Sequence, residues 1–225
     1  MTSDIRVGLR LLWKDKAFTI TAALTLALCI GANTALFSVV HNVLLRPLPV
    51  PQSDRIVVMG NAYPGAGANI GASSGVPDYY DRMRDTSVFE ELALYNGRNQ
   101  SIDQSGRPTR VRVTQATPSY FRLLRVAPAL GRTFSEQESE PGNEKKAVLS
   151  YALWQSQFGG DPQAIGKDIR LDGQPYTVVG VMPKGFYFLN PNVMLWTALA
   201  FTAEQKSDAH RHNNNYQNIG RLKPD

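Results

Sequence analysis

Residues 18–45, FTITAALTLALCIGANTALFSVVHNVLL, form an uncharged run bounded by Lys16 and Arg46. The hydrocarbon core of a bilayer takes about 20 residues of helix, so this run is long enough to cross it and project beyond. No other segment qualifies, because the next most apolar stretch, VMLWTALAF from Val193, is far too short. The run divides the chain into a basic segment, 1–17, a transmembrane helix, 18–45, and a soluble portion, 46–225. A cleaved leader would have an apolar region of about 7 to 15 residues ending in an A-x-A-like site. Here the run is longer, and GANTA in its middle is followed by further apolar helix. An uncleaved anchor is expected.

Basic residues beside a spanning helix tend to be retained in the cytoplasm. Arg6, Arg10, Lys14 and Lys16 precede the run, whereas Arg46 is followed by the uncharged PLPVPQS. The prediction is a cytoplasmic N-terminus and an extracytoplasmic 46–225, periplasmic if the membrane is a bacterial inner membrane. Ile5, Leu9, Leu12 and Trp13 fall on one helical face and Arg6, Arg10 and Lys14 on the opposite one. That is the pattern of a short helix lying in the membrane interface, basic side toward anionic head groups.

Within the run, Ala23, Ala27, Gly31 and Ala35 recur every fourth position and so share a face. A stripe of small residues lets a second helix approach closely. With no second span in the sequence, that helix belongs to another chain or another part of the same assembly. Thr34, Ser38, His41 and Asn42 share a face near the outer end, where the helix is expected to meet water or head groups.

After the anchor, roughly 180 residues remain, enough for one domain with its own core. The single cysteine, Cys29, lies in the run, so an intramolecular disulfide is excluded. A net charge of +5 and a pI near 9.4 are compatible with nucleic-acid binding, but the basic residues are dispersed and partly serve topology. Nucleic acid is therefore discounted. The Gly/Ala/Ser-rich loop from Gly60 to Gly75 is expected to be flexible and lacks the G-x-x-x-x-G-K-S/T phosphate cradle. Ser73, Ser74 and Ser150 lack a G-x-S-x-G context. His210 and His212 form an H-x-H pair near Asp208 without a third ligand at motif spacing. Glu90 and Glu91 read as a solvated edge. No catalytic residue, metal ligand or cofactor site is assigned.

Pro47, Pro49 and Pro51 end the first helix, and Arg55 to Met59 reads as a short strand. Pro77 opens a helix in PDYYDRMRD, with acidic residues early and Arg82 and Arg84 late. VRVTQ from Val111 alternates as a strand, and TPSYFRLL reads as a short helix capped by Thr117. AVLS is a strand followed by a helix from Tyr151 to Phe158, closed by GGDP. IRLDGQPYTVVGV, 169–181, is a hairpin turning on Asp-Gly. Short strands interleave with short helices, which makes the soluble portion α+β. The aromatic pairs Tyr79 and Tyr80, Tyr120 and Phe121, Trp154 and Phe158, and the residues from Phe186 to Phe188 are assigned to its core.

The strings GANTALFSVVHNVLLRPLP, YFRLLRVAPALGRTFSEQE, LSYALWQSQFGGDPQAIGKDIRLDGQPYTVVGVMPKGF and NIGRLKP, in this order, closely resemble the MacB-like periplasmic core domain of FtsX-like ABC transporter permeases. In particular they resemble the duplicated orphan permease branch. The resemblance implies a first membrane helix leading into a periplasmic domain, with three further membrane helices after it. It also implies a dimer whose movements outside the membrane are driven by a cytoplasmic ABC ATPase and reach a periplasmic partner or substrate. The segment with Arg6, Arg10, Trp13 and Lys14 would be the interfacial helix near the ATPase contact. Relatives continue past the position of Pro224, so the resemblance implies an incomplete core domain that does not transport by itself. A stand-alone anchored binding module is the second reading, and an anchored hydrolase the third.

Overall fold

The computed structural model describes residues 13–40, 48–62, 71, 73–104 and 107–224. In it the apolar run forms one helix, α1, Lys16–Val40, and the stretch Lys16–Ser38 is long and apolar enough to cross a membrane. At about 1.5 Å per residue, α1 is roughly 37 Å long. Asp15 caps it: its Oδ1 accepts from the Phe18 N–H at 3.2 Å, so the helix starts before the uncharged run does. Trp13 and Lys14 are helical on the other side of this cap. Arg6, Arg10, His41 and Asn42 lie outside the described residues.

The hydroxyls of Thr19, Thr21 and Thr25 each donate to the carbonyl four residues back, at 2.9, 2.9 and 2.8 Å. Their polarity is thus satisfied within the helix, as a hydrocarbon environment requires.

The chain divides into two compact units, Met1–Pro47 and Leu48–Asp225. The second is built on a ten-stranded sheet. Its strands are β1 (Ile56–Met59), β2 (Ser73–Ser74), β3 (Phe89–Gln104), β4 (Arg107–Ala116), β5 (Leu130–Gly131), β6 (Lys146–Leu149), β7 (Asp168–Leu171), β8 (Gln174–Val181), β9 (Val193–Ala198) and β10 (Tyr216–Leu222). Between them lie α2 (Val76–Asp85), α3 (Ser119–Leu124), α4 (Tyr151–Phe158) and α5 (Ala203–Lys206). The mixture is α+β, as the interleaved short elements predict.

Pairing runs β1-β10-β3-β4-β9-β6-β8-β5, with β2 added to β10 and β7 bridging β3 and β8. The bridge has a topological consequence. The pairs β3–β4, β4–β9, β9–β6, β6–β8, β8–β7 and β7–β3 form a circuit, so these strands close on themselves and hide their edges. All six contribute to one apolar cluster: Ile102, Val111, Leu149, Leu171, Val178 and Leu195 are among its buried members.

Side chains alternate across a strand, so the neighbours of these residues face the other way. Val148 and Trp196 join Ala93, Ala116 and Ile219 in a second cluster, against Tyr120, Phe121, Leu123 and Leu124 of α3. A third cluster packs Val76 and Tyr79 of α2 on Leu92 and Leu94 of β3. Of the aromatic residues assigned to the core, Tyr79, Tyr120, Phe121 and Phe188 are buried, and Tyr80, Trp154, Phe158 and Phe186 pack partly buried against the clusters.

The Asp-Gly hairpin forms as its sequence predicts, with Asp172 at φ 48° and Gly173 at φ 79°. Positive φ at both turn positions matches the twist of the flanking strands. The turn is also fastened to β3, since the Asp172 carboxylate accepts from the Ser101 N–H at 2.8 Å and from Gln100 Nε2 at 3.0 Å. These bonds, Ser101 first, hold the Asp172 carboxyl below the usual range.

Some local expectations change. Glu90 and Glu91 are not a free edge but lie inside β3, where both are ion-paired. Thr117 does not cap α3 with its side chain: Pro118 stands at the cap position, and the Thr117 hydroxyl engages Leu94 of β3 and Ser119 instead. Of the loop from Gly60 to Gly75, residues 63–70 and 72 lie outside the described residues, and Ser73 and Ser74 pair with β10. Gly75 follows because a Cβ there would strike the Arg211 carbonyl.

Candidate functional site at the entry to the soluble unit

Leu48 and Val50, the first apolar residues of the second unit, pack against and within the cluster under α3. The chain thus enters this unit through its core. Gln52 then adopts a left-handed backbone, φ 49°, and the 3-10 turn Ser53–Arg55 leads into β1, which runs antiparallel to β10 with Ile56 opposite Arg221.

Arg221 fastens this entry. Its side chain is fully buried and donates to three backbone carbonyls: Nε to Leu123 at 2.5 Å, Nη1 to Gln52 at 3.1 Å and Nη2 to Pro51 at 3.0 Å. One planar guanidinium therefore joins the entering segment at Pro51 and Gln52, strand β10 and the end of α3. Burial, above all, and the nearby Arg125 push its pKa below the usual arginine range, but that range is so high that it remains a cation.

Outside Arg221 a polar layer continues the clasp. Arg125, itself left-handed at φ 55°, donates to Gln52 Oε1 at 2.6 Å and to both oxygens of Glu90 at 2.8 and 2.9 Å. Arg55 donates to the same Gln52 oxygen at 3.0 Å and pairs with Glu90 at 3.1 Å. The Arg125 guanidinium, helped by Arg55, holds the Glu90 carboxyl below its ordinary range. The chemistry available here is mechanical, because the charged groups engage one another and backbone carbonyls, with Arg55 Nε alone among them buried without a partner.

The residues singled out from the sequence lie elsewhere. Ala23, Ala27, Gly31 and Ala35 are exposed along α1, and a Cβ added at Gly31 would meet nothing within 4 Å. Trp13 and Lys14 are exposed ahead of it. Ser150 caps α4 by accepting from the Leu153 N–H, and the Ser74 hydroxyl accepts from Arg82. His210 ends a 3-10 turn and His212 follows, and among the described residues no group of three potential metal ligands gathers.

Sequence reasoning missed the clasp, although one signal was present. In YQNIGRL, Ile219 and Arg221 are two apart and share a strand face, so the face that buries isoleucine must also receive arginine.

Fold and site define a sheet-rich domain carried behind one span-length helix. The chain belongs to the MacB-like periplasmic core domain family, whose model matches residues 19–224, the periplasmic domain of ABC-type transporter permeases. The periplasmic region of MacB from Actinobacillus actinomycetemcomitans superposes with a TM-score of 0.54 at 10% identity, covering 76% of this chain and 75% of that one. The extracellular domain of the noncanonic ABC-type transporter YknZ from Gram-positive bacteria gives 0.52 at 15% identity, covering 75% and 82%. A domain of a putative permease protein from Porphyromonas gingivalis gives 0.56 at 16%, covering 78% and 76%. None of the curated proteins compared with the chain matches it.

Proposed function

We propose that this chain is a component of an ABC transporter permease in a bacterial inner membrane, in which a cytoplasmic ATPase drives movement of the periplasmic domain. In this reading 1–17 is the interfacial segment, with Arg6, Arg10, Trp13 and Lys14 facing head groups and the ATPase contact. Residues 18–45 span the membrane and 46–225 work outside it. The stripe of Ala23, Ala27, Gly31 and Ala35 packs against a helix of another permease chain. The observation that carries the reading is the Arg221 clasp. A domain moved through its membrane helix must not slip at its entry point, and the clasp resists such slip by tying Pro51 and Gln52 to β10 and α3.

A photo-crosslinking amino acid placed at Lys14 tests the ATPase contact in living cells. The expected adduct contains an ABC ATPase subunit, identified by mass spectrometry. Adducts containing only lipid or unrelated proteins would contradict the proposal.

A further inference from the structure

On the face of β10, β3 and β4 that packs under α3, a groove of about 580 Å³ opens between the sheet and the loop carrying Phe188, Leu189 and Asn190. Its volume lies in the range of small-molecule sites, about 300 to 1,000 Å³. Tyr95, Tyr120 and Phe188 give it an aromatic base, with ring centroids 5.5 to 6.3 Å apart. Leu189 stands at the rim, 51% exposed and in a left-handed backbone at φ 59°. A leucine held there is strained and presents an apolar side chain to the opening.

The charge in the groove is one-sided. Arg112 lines it, Arg98 contributes backbone because its side chain alternates to the other face beside Val113, and among the described residues no Asp or Glu lines it. Five other arginines of this unit, Arg55, Arg122, Arg125, Arg132 and Arg211, meet carboxylates. Part-buried Arg112 instead has Asn99 Oδ1 at 3.4 Å, a long contact for a charged donor. Its guanidinium lies over Gly97, where a Cβ would come within 2.6 Å of Nη2 and 3.1 Å of Cζ. The bare backbone at Gly97 is what lets the cation lie along the sheet. Burial pushes the Tyr95 phenol up to about 12, so it adds no negative charge at neutral pH.

We infer that this groove binds a small organic carboxylate with an apolar body, the carboxylate on Arg112 and the body against Tyr95, Tyr120 and Phe188. A guanidinium fork matches a carboxylate in geometry as well as charge, and Tyr95 with Leu189 at the rim supplies apolar area over the buried Tyr120 and Phe188. The inference is independent of the coupling role of the Arg221 clasp, which lies at the other end of β10.

The test uses the full chain in lipid nanodiscs, titrated with 4-phenylbutyrate and with its uncharged counterpart 4-phenylbutan-1-ol, with empty nanodiscs as the blank. Calorimetry is expected to give saturable binding of the acid and clearly weaker binding of the alcohol. Arg112→Gln should weaken the acid by about tenfold or more, the scale of a charged hydrogen bond. Gly97→Ala should weaken it too, since the new methyl group displaces only the end of a flexible side chain. Should Arg112→Gln lose the native circular dichroism, Gly97→Ala and the alcohol decide the question. Absence of saturable binding, equal affinity for acid and alcohol, or wild-type affinity in the folded variants would overturn the assignment.

Discussion

Arg221→Met is expected to destabilise the second unit by about 3 kcal/mol, because it strips a charged donor from three backbone carbonyls at once, of which Gln52 keeps the Arg55 N–H. Methionine approximates the volume of the arginine stem, so packing loss contributes little and the effect reports the hydrogen bonds. Arg221→Lys should recover only part of the loss, since an ammonium cannot reproduce a planar fork spanning the carbonyls of Leu123, Gln52 and Pro51. Thermal unfolding of the three proteins side by side measures this. A methionine variant within about 0.5 kcal/mol of wild type, the range of an ordinary surface change, would mean that the guanidinium does not hold the entry strand.

Phe121→Ala should cost about 4 kcal/mol, the scale for emptying a buried phenylalanine site. Phe121 is 1% exposed and lies among four rings, those of Tyr120, Phe134, Phe186 and Trp196, at centroid distances of 5.4 to 6.2 Å. Rings on all sides cannot collapse into the space without leaving their own contacts. The loss also reaches the clasp, because Phe121 seats the helix whose Leu123 carbonyl receives Arg221. In a domain whose total stability is of order 5 to 15 kcal/mol, the variant is expected to melt roughly 10 °C lower. Differential scanning calorimetry checks this, and a shift of a degree or two would place Phe121 outside the core.

What was legible in the sequence was local. The Asp172-Gly173 turn, the helix from Tyr151 to Phe158, and Pro77 at the start of α2 all formed where their residues predict, because each depends on bonds within a few positions. The long strand β3 was not legible. ELALYNGRNQ carries no sustained alternation, and the strand is held by partners more than a hundred residues away at its start, in β10, and by β4 and β7 farther along. Glu90 and Glu91 looked like solvated charge for the same reason, since Arg55, Arg122 and Arg125 reach them only once the chain has folded back. Closure of the sheet through β7 is likewise a property of pairing and not of composition. The site followed this division: the clasp needed β10 to be placed between β1 and β3.

In the proposed function, the unit beginning at Leu48 works outside the cytoplasm, tethered through α1. Alkaline phosphatase and green fluorescent protein fused in turn after Pro224 in a Gram-negative host test it most directly. Active phosphatase with a dark fluorescent fusion is the predicted result, and a bright fluorescent fusion with inactive phosphatase would contradict it.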